Sequence, residues 1–181
     1  IAVAIYSFVL LITWVVGPVR HGVSLDSLGL KLPTSMDYFH LFVLLLLVLG
    51  SFLLLLAVYA SLLSLLGWEL PDSLPEDLDL GGPAVTAGFA LVVIFLGPFA
   101  EEIFFRGFVF TGLTGRWGIP VAATLSSLAF AVFHAEPSLI LPFFAVGILL
   151  AWFYRKTGTI WSCIVAHAVW NTMAFSVSMA T

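Results

Sequence analysis

Charge is what this sequence has least of. Only 9% of its residues are charged, against 62% hydrophobic, and the mean hydropathy is +1.18. That scarcity excludes an ordinary soluble domain and indicates a polytopic helical membrane protein whose first partner is the lipid bilayer. Six Lys and Arg in 181 residues make no basic patch, which excludes nucleic acid as a partner. The formal charge of −4 selects no partner. Cysteine is scarcer still: Cys163 stands alone, so an internal disulfide and any Cys-x-x-Cys metal or redox site are impossible. It reads as a small packing residue in a helix. Repeats, low-complexity tracts and domain boundaries are also missing, and residues 1–181 read as one membrane-embedded domain with its motif-bearing core at about 84–179. The sequence opens on Ile1 rather than Met and is expected to be a segment. Residues 1–16 lack the basic n-region and small-x-small cleavage site of a signal peptide, so they read as a spanning helix whose beginning is missing.

The apolar runs predict an all-α bundle of about six transmembrane helices. These cover about 1–16 (ended by Gly17-Pro18), 38–66, 84–113, 121–134, 137–154 and 160–179. The run from Leu41 to Leu66 is uncharged and long enough to span with some tilt. Ser24–Leu28 could form a short surface helix. Residues 68–83, with Glu69, Asp72, Glu76, Asp77 and Asp79, read as an acidic solvent loop. Gly97-Pro98 predicts a kink in the third helix. With six spans, Arg20, Lys31, Arg106, Arg116, Arg155 and Lys156 all fall on one side. The positive-inside rule then puts loops 1–2, 3–4 and 5–6 in the cytoplasm and both termini outside. His21 and His40 read as solvated, and Trp68 and Trp117 suit the membrane interface.

Against this background Glu101-Glu102-Ile103-Phe104-Phe105-Arg106-Gly107 stands out. An ionisable group inside a span costs roughly 2.5–3.5 kcal/mol on insertion scales, so such a cluster marks a functional site by default. Glu102 and Arg106 stand at i and i+4 in the favoured order for a helical ion pair, and by themselves read as structural. Glu101 points about 100° away and must find partners on another helix. It is the candidate for chemistry.

Three more polar groups interrupt apolar helices: His134, and His167 with Asn171 one turn later on the same face. A lone membrane histidine is more often a helix–helix hydrogen-bonding residue than a catalyst. Their joint occurrence with Glu101 on three helices favours a general base acting on water, with an imidazole and an amide to stabilise an oxyanion. No Ser or Cys pairs with a base, so water is the nucleophile of choice. Glu101, His134 and His167 are also a conceivable zinc set, although the helical His-Glu-x-x-His spacing is absent. Water activated by Glu101 ranks ahead of a metal on spacing alone.

The order Glu-Glu-x-x-x-Arg-Gly, Phe-x-x-x-His and His-x-x-x-Asn, with Thr157-Gly158-Thr159-Ile160-Trp161 leading into the last, resembles the CPBP family of CAAX prenyl proteases and bacteriocin-processing (Abi-type) enzymes. The resemblance covers about residues 91–175. It implies an intramembrane helical bundle that hydrolyses a peptide bond near the membrane. Glu101 would be the base, supported by Glu102 and Arg106; His134 would bind or polarise the water, and His167 with Asn171 would stabilise the oxyanion. A prenylated C-terminus, a leader peptide or another membrane segment would each suit as substrate. A non-catalytic scaffold or regulatory subunit bound to a larger membrane complex is the alternative, and histidine ligation of a tetrapyrrole metal is a third. One conflict is visible: His134 falls near the outer end of the fourth helix, and at about 1.5 Å per residue its gap to Glu101 exceeds 10 Å unless helices tilt or break. A kink at Gly97-Pro98, or a fourth helix that starts deeper, is expected to remove it.

Overall fold

The computed structural model describes residues 1–32, 38–69 and 81–179. Helix α1 is Ala2–Arg20 and α2 is Tyr38–Leu65. The segment Pro83–Phe133 is broken at Gly118 (φ 76°, ψ 170°) into α3, 83–117, and α4, 119–133. Helix α5 is Ile140–Thr157 and α6 is Ile160–Ser178. The protein is therefore an all-helical membrane bundle, and the six expected rods are present. Among the described residues only five segments are long and apolar enough to cross a bilayer, because α3 and α4 count as one. Alone, α4 has 15 residues (119 through 133), short of the ~20 a span needs. Most of the acidic loop, 70–80, lies outside the described residues.

Two prolines test how helices survive in lipid, where every backbone polar group needs a partner within the protein. Gly17-Pro18 does not end α1 as expected: the chain continues in π register over Val15–Arg20 and stops at Gly22 (φ 64°). Gly97-Pro98 leaves α3 continuous as well. Gly97 stays in the right-handed helical region (φ −58°, ψ −63°), and the turn before it, Val92–Leu96, is π-helical. A second π segment, Ile103–Phe110, follows the two glutamates. The wider register absorbs the missing N–H without breaking the rod. It also leaves carbonyls that need outside donors, and side chains supply them.

Small residues set the helix spacing, as packing in lipid depends on close contact rather than on expelling water. A Cβ on Gly147 would lie 2.7 Å from Ser127 Cβ, and one on Gly107 2.6 Å from the Leu28 carbonyl oxygen; α5 touches α4 at the first, the 24–31 turn touches α3 at the second. That turn is capped by Ser24 (Ser27 N–H to Oγ, 3.1 Å) and buries Leu28. It is no helix, but it is anchored: Ile160 N–H donates to the Gly29 carbonyl (3.1 Å) and Thr159 Oγ1 donates to that of Lys31 (2.6 Å). One core cluster joins α2, α5 and α6 through Val48, Phe52, Leu150, Phe153, Cys163 and Ala166; Cys163 is the packing residue expected. Lys31, Gly115 and Arg155 line one cavity of about 320 Å³, so the 1–2, 3–4 and 5–6 connections meet at one end of the bundle. Arg106 does not belong with them. It is 1% exposed and must be removed from the charge count that sets orientation.

Candidate active site

The break at Gly118 resolves the depth conflict. Glu101 stands 17 residues before it and His134 16 after it, so at about 1.5 Å per residue the two reach the same level. Helix α4 ends there, within the depth of the bundle, and Ala135 (φ 53°) turns the chain toward α5. The gap suggested by counting along the helices is closed, as expected, here by the turn at Gly118: His134 Nε2 is 3.8 Å from Glu101 Oε2. From α6, His167 Nε2 is 3.9 Å from the same oxygen. The other oxygen, Oε1, accepts a hydrogen bond from the Tyr6 hydroxyl at 2.9 Å. Oε2 is buried and has no hydrogen-bond donor within the protein.

The tautomers follow from the partners. His134 Nδ1 is 2.8 Å from the Phe130 carbonyl oxygen, which can only accept, so Nδ1 carries hydrogen and the Nε2 lone pair of the neutral ring faces Glu101. His167 Nδ1 donates to Glu102 Oε1 at 2.9 Å, and its Nε2 is left facing Glu101. Both rings are held at one nitrogen and offer the other.

Glu102 is the anchor for this arrangement. Its Oε1 also accepts from Arg106 Nη1 at 3.0 Å, and both side chains are fully buried. Arg106 Nη2 donates to the Gly147 carbonyl at 3.3 Å, and its guanidinium lies 4.4 Å over the Phe130 ring. The expected Glu102–Arg106 pair thus exists and does more than neutralise charge: it carries His167. Isolated, a buried ion pair is weak evidence for stability. Here its geometry sets the orientation of an imidazole.

Asn171 is placed differently. Its Nδ2 donates to the Val93 carbonyl at 2.8 Å. In the π turn the Gly97 N–H bonds the Val92 carbonyl, so the next donor in register would be Pro98, which has none. Asn171 fills that place. The structure brings Glu101, Glu102, Arg106, His134 and His167 into one cluster and sets Asn171 beside it as a brace of the proline turn.

Sequence reasoning missed three contributors, Tyr6, Phe143 and Gly147, and gave no role to Phe130, which it held only as the first residue of Phe-x-x-x-His. Tyr6 was hidden in a span with no other cue, although Tyr6, Val9, Thr13 and Gly17 recur on one helical face and the last three are buried. Phe130 meets Arg106, His134 and His167. Phe143 stacks on His134 at 4.1 Å. Gly147 opens its carbonyl to Arg106. Aromatic and glycine residues are too common in membrane spans for sequence to single out Tyr6, Phe143 and Gly147. Among the described residues no three His, Cys, Asp or Glu side chains are grouped so as to hold a metal ion.

The family model described as Type II CAAX prenyl endopeptidase Rce1-like matches residues 83–173, which contain every predicted site residue. The chain belongs to this family. It is also 35% identical over 82 residues to the Bacillus subtilis (strain 168) protein named "Putative membrane peptidase YdiL", a stretch covering 45% of this chain and 34% of that protein. The chain thus spans about a third of the length of that curated relative. No solved structure matches significantly.

Proposed function

We propose that the protein is an intramembrane endopeptidase in which Glu101 activates a water molecule for attack on a peptide carbonyl. The observation that carries this is the unpartnered Glu101 Oε2, buried and flanked by two imidazole nitrogens at 3.8 and 3.9 Å. Glu101 Oε2 and His134 Nε2 are acceptors that face each other and call for a molecule that brings protons, and polar contacts beyond 3.5 Å are commonly bridged by water. The water donates to Glu101 Oε2 and to His134 Nε2, which aims its oxygen lone pair outward. Glu101 takes the proton as the C–O bond forms and returns it to the leaving nitrogen as the C–N bond breaks.

The oxyanion needs donors. His167, with Nδ1–H held by Glu102 and a second proton on Nε2, is one. Asn171 is the other: its amide nitrogen has two N–H groups, and the bond to Val93 fixes the amide while committing one of them. Family membership supports a peptide substrate with a prenylated C-terminus. The end of the bundle bearing Lys31, Arg116, Arg155 and Lys156 faces the cytoplasm, by the positive-inside rule.

The test is cleavage of a farnesylated peptide ending in a CAAX sequence by the purified chain in lipid nanodiscs. Wild type should release the terminal tripeptide and Glu101→Gln should lose at least about 100-fold in rate, the low end for a general base, with its thermal unfolding unchanged. Full activity in Glu101→Gln would sink the assignment. A wild-type chain that cleaves neither this peptide nor a leader peptide, yet co-purifies with a membrane partner equally well as Glu101→Gln, would favour the scaffold reading.

A further inference from the structure

The carboxylate of a glutamate turns easily about its last torsion, which has a broad, two-fold profile. For Glu101 that freedom matters, because a base must present a chosen oxygen to the water at every turnover. One contact breaks the symmetry of its two oxygens. Tyr6, from α1, donates to Oε1 at 2.9 Å, and only Oε2 faces His134 and His167. We propose that Tyr6 is a positioning residue, which ties Oε1 of Glu101 so that Oε2 is held toward the two imidazoles. This rests on the reading of Glu101 as the base.

Three observations support it. The phenol reaches the site across 95 positions of sequence, from a helix whose one other buried polar side chain, Thr13, bonds the Val9 carbonyl of its own helix. It is admitted by a glycine: a Cβ on Gly97 would stand 3.0 Å from the Tyr6 hydroxyl oxygen and 3.2 Å from Cζ. The close approach of α1 to the core also continues past the tyrosine, with Leu10 packed against the cluster of Ile103, Ile160 and Ile164. A helix–helix tie without functional weight would need only some acceptor on α3. This one takes an oxygen of the residue whose other oxygen is buried without a donor. In a water-poor site, a hydrogen bond to a charged group carries more than a neutral one.

The experiment uses the full chain in nanodiscs and the farnesylated CAAX peptide, with Tyr6→Phe, Gly97→Ala, the double variant and Glu101→Gln compared. Tyr6→Phe keeps the ring and its packing. It should lower kcat by about 10- to 100-fold, the kinetic equivalent of one charge-assisted hydrogen bond, with KM within about twofold. Gly97→Ala should displace the hydroxyl and give a loss of the same order, and the double variant should be no slower than the slower single one, since both act on one contact. A second readout needs no turnover. The infrared difference between wild type and Glu101→Gln isolates the Glu101 carboxyl band, and Tyr6→Phe should shift it.

A folded Tyr6→Phe with wild-type kcat and an unshifted band, beside an inactive Glu101→Gln, overturns the role of Tyr6 and leaves the base standing. An active Glu101→Gln removes the base itself. If Tyr6→Phe loses activity only in proportion to its loss of folded protein, with kcat per folded molecule unchanged, Tyr6 is a packing residue and the inference fails.

Discussion

Asn171 donates to the carbonyl of Val93, 2.8 Å away, at the one place in α3 where Pro98 cannot. The pairing links a polar residue, expected at the oxyanion, to a backbone defect five residues from its proline. It makes a double-mutant cycle informative. Asn171→Ala leaves a carbonyl without its donor in an environment poor in water and should destabilise the fold by about 1–3 kcal/mol. Pro98→Ala restores an N–H. In that background Asn171→Ala should cost clearly less, as measured by unfolding in detergent. Equal costs in both backgrounds would show that Asn171 does not brace the proline turn.

Arg106 should be hard to replace. Its guanidinium serves Glu102, the Gly147 carbonyl and the Phe130 face together, which a lysine cannot reproduce. Arg106→Met leaves Glu102 buried without its countercharge, and breaking a buried pair in this way costs about 3–5 kcal/mol. Arg106→Lys should fall between. Thermal unfolding of the three proteins gives the order, and a lysine variant as stable as wild type would contradict it.

Gly147→Ala meets Ser127 Cβ at 2.7 Å, and overpacking of this kind costs about 1–3 kcal/mol. It also moves the carbonyl that Arg106 uses, so activity should fall with stability. Ser127→Gly removes the opposing Cβ but leaves the Ser127 Cα at 2.9 Å, so it should restore part of both. Failure of the second change to relieve the first would place the strain elsewhere.

Chelation separates the two ways of activating water. With Glu101 as a direct base, proteolysis should survive prolonged treatment with a strong chelator. Loss of activity that returns on adding zinc would instead make Glu101, His134 and His167 ligands, each imidazole already held at Nδ1 in the manner of a metal-bound histidine.

Composition and motif order by themselves determined the membrane class, the helical rods and the identity of the polar cluster. Charge inside a span is costly wherever it stands, so Glu101, Glu102, Arg106, His134 and His167 could be found without coordinates. The Glu102–Arg106 pair follows from helical spacing alone. Only the tertiary structure decided which atoms meet. The rise per residue cannot place the turn at Gly118, whose left-handed φ ends α3 and brings His134 level with Glu101. Proline in sequence signals a broken helix, but whether the rod ends or continues through a π turn depends on a donor from elsewhere, here Asn171. And Tyr6 comes to Glu101 because α1 packs where Gly97 leaves room, a long-range contact that no local pattern encodes.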